Sequence, residues 1–259
     1  MRVQLFVTCL TDTYFPDVAA CVVRVLRRLG VEVDFPKRQT CCGQPALNSG
    51  CMHDFRAVAA RMIDVFEGSD PVVTPSGSCC SIVREYFPHA FDDDPVRRAR
   101  AVALAGRTYE FIEFLEKKLR PDWSAWDLRF DAVATYHYSC HLRGIGVTDE
   151  HVRMLQRFRG LEYRPMEKMD QCCGFGGTFA VKYGDISGAM VRDKVVNIRK
   201  TGANLLVCND GGCTLNIAGA LHRDGCDIRV MHIAQILDQA MAASEKRRAA
   251  SAVPQGVQP

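Results

Sequence analysis

No apolar run in this chain approaches the roughly 18 residues of a membrane span. The first residues, MRVQLFVTCLTDTYFPD, carry neither a basic stretch before their apolar run nor a small-residue cleavage site, so no signal peptide is expected. Charge of one sign is scarce too. The 33 basic and 30 acidic side chains leave +3, too little for a nucleic-acid or polyanion binder. No P-loop and no strand–GxGxxG–helix unit is present, which argues against a nucleotide or flavin site. Gly174-Phe175-Gly176-Gly177 is a weak phosphate-loop match, better explained by the cysteines beside it. A 47% hydrophobic and 24% charged composition excludes a wholly disordered chain, and 259 residues suit one large domain or two small ones. The plentiful residue is cysteine, with 13 copies. In the expected cytoplasmic setting disulfides are rare, and cysteine clusters are more often metal-binding or catalytic.

Two cysteine pairs are adjacent and followed by glycine: Cys41-Cys42-Gly43 and Cys172-Cys173-Gly174. Chance composition gives about 0.05 such triplets in the chain, so two copies are not accidental. Cys9 precedes Cys41 by 32 positions, and Cys140 precedes Cys172 by 32, both at an offset of 131. Cys79 follows Cys41 by 38 residues and Cys213 follows Cys172 by 41. The chain is therefore an internal duplication.

The segments between these cysteines agree in order. RVQLFVTC (2–9) and VATYHYSC (133–140) read as strands, and helices follow over about 15–29 and 148–159. A short strand and proline come next, VEVDFP (31–36) and LEYRP (161–165), then the triplet as a loop. Helices over 52–66 and 184–200 lead to strands at 71–75 and 203–208, and then to the last cysteine at a helix start. Alternation of this kind predicts an α/β fold, two tandem repeats related by a pseudo-twofold, each a small parallel sheet flanked by helices. The boundaries read as a first repeat over 1–95, a connector over 96–126 carrying one long helix to about 120, a second repeat over 127–247 and a disordered tail over 248–259.

In an open α/β sheet the loops at the carboxyl ends of the strands converge on one edge. Each repeat thus brings four thiols together: Cys9, Cys41, Cys42 and Cys79 in one, Cys140, Cys172, Cys173 and Cys213 in the other. Soft thiolates gathered this way select zinc or iron–sulfur clusters. Gly43 and Gly174 permit the turn that lets adjacent cysteines face one centre, and free N–H groups there would donate to sulfur. Adjacent cysteines are not the usual C-x2–4-C zinc knuckle, yet four thiolates suit tetrahedral zinc, in one or both repeats. A vicinal disulfide ranks below metal binding because it is strained.

The pattern of cysteine, about thirty residues, Cys-Cys-Gly, a similar gap and a final cysteine, given twice, resembles the cysteine-rich CCG family. That family includes the B subunit of heterodisulfide reductase and the iron–sulfur subunits of glycolate and glycerol-3-phosphate oxidation. GVEVDFPKRQTCCGQPALNSG (30–50), TPSGSC (74–79) and DGGCTLNIAG (210–219) look like its lactate utilization branch. The resemblance implies an iron–sulfur (4Fe-4S) subunit, passing electrons within a three-protein complex that oxidises L-lactate to pyruvate. It implies a ferredoxin-type partner, since the ferredoxin run of cysteines is absent here. The family closes each repeat with Cys-x-x-Cys. This chain has Ser76 and Asp210 at the first of those positions, leaving four matched cysteines per repeat, with Cys80 and Cys208 nearby as substitutes. Electron transfer for glycolate or a heterodisulfide, and a zinc-bound assembly protein with no redox role, are the alternatives.

Cys21, Cys51 and Cys226 read as core fillers. His137 and His141 flank Cys140 in YHYSCHLRG, as ligands, sulfur neighbours or proton relays on one reading and ordinary loop histidines on the other. Arg143 would offset cluster charge or bind a carboxylate, or else form a surface salt bridge. The remaining five histidines show no partner pattern.

Overall fold

The structure, a computed structural model, describes residues 1–252. Strands β1 (Arg2–Leu5), β2 (Glu32–Asp34), β3 (Val72–Thr74) and β4 (Thr108–Glu110) form a parallel sheet ordered β2-β1-β3-β4. Strands β5 (Arg129–Tyr136), β6 (Arg159–Tyr163), β7 (Leu205–Cys208) and β8 (Arg229–His232) form a second parallel sheet ordered β6-β5-β7-β8. The topology is thus repeated as the cysteine spacing predicts, with helices carrying the chain between parallel neighbours. Helix Pro16–Arg28 shows how local sequence enforces this. Proline sits in its first turn, Val18, Cys21, Val22, Val25 and Leu26 form its buried stripe, and Gly30 reverses the chain beyond it at φ 73°.

The long helix expected to 120 does not form. Helix Pro95–Ala105 stops at Gly106, strand β4 follows, and helix Phe111–Glu113 continues as a π-turn over Phe114–Leu119. Thr108 and Tyr109 find backbone partners in Val72 and Val73 of β3. Glu110 then restarts the helix through a capping box with Glu113. Apolar residues that match helical spacing are here divided between a strand and a helix. The final helix, Ile233–Ala252, runs five residues past the expected end of the second repeat. Residues 253–259 of the expected tail lie outside the described residues.

Helix Pro16–Arg28 packs on Ile233–Ala252, and the matching helix Glu150–Gln156 packs on Phe111–Glu113. Helix Cys9–Tyr14 meets Gly211–Arg223, while His141–Gly144 meets Gly77–Ser81. Each contact occurs twice with the roles of the repeats exchanged, as a pseudo-twofold axis requires. One core joins the two sheets and contains Leu5, Phe111, Tyr136, Leu205, Ile233 and Leu237. Each sheet keeps a separate core on its other face, around Phe55 and Phe66 in the first repeat and around Val191 and Ile198 in the second. Asp238 sits between Arg24, at 2.7 Å, and Arg28, pinning the first of these helix pairs.

Candidate metal centres

The eight repeat-matched cysteines gather as two groups of four at the carboxyl ends of the two sheets. In the first repeat Cys9 opens helix Cys9–Tyr14, Cys41 and Cys42 lie in the turn before helix Gln44–Asn48, and Cys79 lies in the first turn of helix Gly77–Ser81. The sulfurs of Cys9 and Cys41 are 3.4 Å apart and those of Cys42 and Cys79 are 3.1 Å apart. All four line a cavity of about 240 Å³ that residues Phe175, Thr178 and Val181 of the second repeat help to wall. In the second repeat Cys173 and Cys213 sulfurs are 3.2 Å apart, and the Cys140 thiol donates a hydrogen bond to Cys172.

The glycine of each triplet has the conformation that the turn demands. Gly43 has φ 83° and Gly174 has φ 86°. Their N–H groups point back at sulfur: Gly43 N lies 3.5 Å from Cys41 Sγ and Gly174 N lies 3.3 Å from Cys172 Sγ. Phe175 N adds a contact of 3.5 Å to Cys173 Sγ.

These contacts localise charge. Cys41 accepts hydrogen bonds from the Cys42 and Cys9 thiols and the Gly43 N–H, which hold its pKa far below the thiol range, at about 3. Cys172 is held at about 2 by the thiols of Cys140 and Cys173 and the Gly174 N–H. The donors Cys9, Cys42, Cys140 and Cys173 are pushed up, first by giving those bonds and then by burial. Each repeat thus holds a thiolate ringed by protonated thiols, and a metal ion would replace those protons.

The second repeat adds polar groups. His137 is buried beside Cys173 and Cys213, with one ring nitrogen and both sulfurs within 4.8 Å of one another. Burial, and then the charge of Lys194, lower its pKa to about 3, so the ring is neutral. Lys194 is itself buried and donates to the carbonyls of Lys168, at 2.9 Å, and Met169, at 3.2 Å. His141 Nδ1 lies 3.6 Å from Cys140 Sγ, and its Nε2 lies 3.4 Å from Gln44 Nε2 of the first repeat. Arg143 is exposed and pairs with Asp170 at 2.8 Å, and its guanidinium donates to no thiol among the described residues. The pair still ties the segment after Cys140 to the segment before Cys172.

Ser76 of the first repeat and Asp210 of the second meet. Ser76 Oγ donates to Asp210 Oδ2 at 3.0 Å, and Ser78 N donates to the same oxygen at 2.9 Å. Each also caps its helix: Ser76 Oγ accepts from Cys79 N at 3.3 Å, and Asp210 Oδ1 from Cys213 N at 3.4 Å. The two side chains thus join the repeats and align the helix starts that carry Cys79 and Cys213.

Other residues fall differently from expectation. Cys21 is a core residue, but Cys51 is exposed and fills no core, because it precedes helix Met52–Val65 at the surface. Cys226 is half-buried against the outer core of the second repeat. Cys80 turns into the core between the sheets, 4.0 Å from Thr108 O, whereas Cys208 shares the core that holds Cys173 and Cys213. Two histidines without a sequence pattern prove to be buried. His151 stacks on Tyr136 and lies 3.1 Å from Glu110 Oε1. His232 caps the final helix, its Nδ1 accepting from Ala234 N, and its Nε2 donates to Pro75 O of the first repeat at 3.1 Å.

The donor set suits a thiolate-bound inorganic centre in each repeat: four convergent sulfurs, a backbone N–H aimed at one of them in the first repeat and at two in the second, and in the second repeat an imidazole with no hydrogen-bond partner on either nitrogen among the described residues.

Comparison with known proteins agrees with this duplication. The CCG family, described as a cysteine-rich domain, matches residues 3–84 and again 134–218. Lactate utilization protein A 2 of Bacillus cereus strain AH820 is 45% identical over 239 residues, covering 92% of this chain and 98% of that protein. Lactate utilization protein A of Geobacillus kaustophilus is 47% identical over 239 residues, covering 92% of this chain and 99% of that protein. The crystal structure of a hypothetical protein from Helicobacter pylori superposes with a TM-score of 0.61 at 13% identity. It covers 99% of this chain, which spans about half (52%) of that longer one, and it speaks for the fold alone.

Proposed function

The chain belongs to the cysteine-rich CCG family, and on that premise we propose that it is the iron–sulfur electron-transfer subunit of a complex oxidising L-lactate to pyruvate. The carrying observation is the convergence of four thiols at the same edge of each sheet, in a chain nearly half identical to lactate utilization proteins over almost their full length. Cys9, Cys41, Cys42 and Cys79 would hold one centre, and Cys140, Cys172, Cys173 and Cys213 the other. A bound cluster would supply one-electron redox chemistry at each site. The protein's own part is to present thiolates, to aim the N–H groups of Gly43 and Gly174 at sulfur, and to keep water from the inner thiols Cys42, Cys79, Cys173 and Cys213, all buried. Ser76 and Asp210 fix the two sites against one another across the axis. The carbon chemistry of lactate oxidation is assigned to no residue of this chain; it falls to partner subunits, among them a ferredoxin-type protein, in the cytoplasm.

A zinc-bound assembly protein is the second reading, and one grouping favours it. Among the described residues the ligand atoms of His137, Cys173 and Cys213 lie within 4.8 Å of one another, a mixed nitrogen–sulfur set that suits zinc. Anaerobic purification followed by iron, acid-labile sulfide and zinc analysis separates the two. Iron and sulfide in the wild type, much reduced in Cys173→Ser and unchanged in Cys21→Ser, are expected. A colourless protein holding zinc and no sulfide defeats the electron-transfer assignment, and equal losses in both variants defeat the division of ligands from core cysteines.

A further inference from the structure

The two sites share a backbone and differ in one buried side chain. In the first repeat Phe6 follows β1 and its N–H donates to Val73 O at 2.9 Å. In the second, His137 follows β5 and its N–H donates to Val207 O at 2.9 Å. Both residues are 1% exposed. The phenyl ring of Phe6 packs edge-on against Phe66 at 5.5 Å and asks for no polar partner. The imidazole of His137 does ask for one, and neither of its nitrogens has a hydrogen-bond partner among the described residues. A buried polar atom without a partner destabilises the fold, so a phenyl ring there would be the more stable choice if the site were only packing. The imidazole also faces the right chemistry: a ring nitrogen and the sulfurs of Cys173 and Cys213 lie within 4.8 Å of one another. Neutral imidazole nitrogen is a good ligand for zinc and for iron, and histidine replaces cysteine on one iron of some clusters.

We propose that His137 is a nitrogen ligand of the inorganic centre in the second repeat, which makes that site a mixed nitrogen–sulfur site while the first is built of sulfur alone. This rests on the reading that the matched cysteines bind an inorganic centre. It assigns the two repeats unequal roles. The imidazole adds a neutral donor beside the four thiols of the second repeat that the first repeat lacks, so the two centres would differ in reduction potential.

The test uses the full chain, purified anaerobically and analysed for iron, sulfide and zinc. Iron-loaded protein is reduced and examined by pulsed EPR with natural-abundance and 15N-labelled histidine. Zinc-loaded protein is examined by X-ray absorption for imidazole scattering. The wild type should show one coordinated histidine per chain, lost in His137→Phe and in His137→Gln and kept in His141→Ala. The wild-type spectrum decides the matter even where a variant fails to fold. Metal-loaded wild type with no coordinated histidine overturns the inference while leaving the sulfur-bound centres in place, as does a signal that disappears in His141→Ala and persists in His137→Phe. Zinc with coordinated imidazole upholds the inference and overturns electron transfer. Protein that takes up neither metal overturns both.

Discussion

The first and second repeats keep one frame and surround it differently. Strand order, triplet turn and the fourth cysteine in the first turn of a helix are the same in both. Around them, Phe6 stands against His137, as the matched N–H bonds to β3 and β7 show. Gly43 faces Phe55 and Val58 where Gly174 faces Ser187 and Met190, each pair 132 residues apart, and the same step carries Met62 to Lys194. Met62 Sδ accepts from Thr40 N at 3.3 Å beside the first triplet, whereas Lys194 brings a buried ammonium towards the second. Ligand-bearing segments tolerate little change because their backbone sets the sulfur positions. The residues behind them are free to change polarity, and two sites of one origin can thereby be poised differently.

The largest effect that would sharpen this contrast lies in the triplet glycines. At Gly174 a Cβ would meet Ser187 O at 2.8 Å, a backbone atom that cannot move aside, and φ is 86°. At Gly43 the nearest atom is Phe55 Cδ2 at 3.0 Å, part of a side chain that can shift. Gly174→Ala is therefore expected to cost about 3–4 kcal/mol and Gly43→Ala about 1–2 kcal/mol. Urea denaturation of both variants checks the order, and equal costs would mean that the two turns are equally constrained.

A smaller, pH-dependent difference separates the ends of the edge strands. Glu110 ends β4 and His232 ends β8, and each accepts an N–H from the second residue of the helix it precedes, Ile112 at 2.8 Å and Ala234 at 3.1 Å. Burial lowers the His232 pKa from 6.5 to about 4. The folded chain therefore binds this proton less readily than the unfolded chain. The stability it contributes is complete above about pH 6.5 and is lost as pH falls towards 4, by ~3 kcal/mol. His232→Asn keeps a side-chain acceptor for the cap and should flatten that part of the stability–pH curve. An unchanged slope between pH 6.5 and 4 would assign the loss to other groups.

Much of this was legible in the sequence. The offset of 131 between Cys9 and Cys140 and between the triplets reflects a duplicated backbone, so the element order and the eight convergent cysteines could be read from spacing. Strand β4 could not, because three residues rich in neither pattern take their strand geometry from pairing with β3. Nor could the bond of Ser76 to Asp210, 134 positions apart, or the burial of Glu110, His151 and His232, which depends on how the repeats pack. Gly106 and the Glu110/Glu113 capping box were the local signals that could have divided the supposed long helix.

The smallest difference concerns how each triplet loop is tied to the strand before it. Gln39 and Asp170 occupy matching positions, 131 residues apart. Gln39 Oε1 accepts from Val7 N at 2.8 Å, and its Nε2 donates to Leu5 O at 3.0 Å and Pro36 O at 3.1 Å. Its removal leaves backbone groups of the buried residues Val7 and Leu5 without this partner, so Gln39→Ala should cost about 1–3 kcal/mol. Asp170 meets Arg143 at 2.8 Å in a pair with side chains 60% and 62% exposed. Water and salt screen such a pair, and Arg143→Ala should cost less than about 1 kcal/mol, with the loss shrinking further at high salt. Metal content of the second repeat should survive Arg143→Ala, since the guanidinium donates to Asp170 and not to sulfur. If Arg143→Ala instead emptied that site, the ion pair would be holding Cys140 and Cys172 in register, and the exposed tie would matter more than the hydrogen-bonded one.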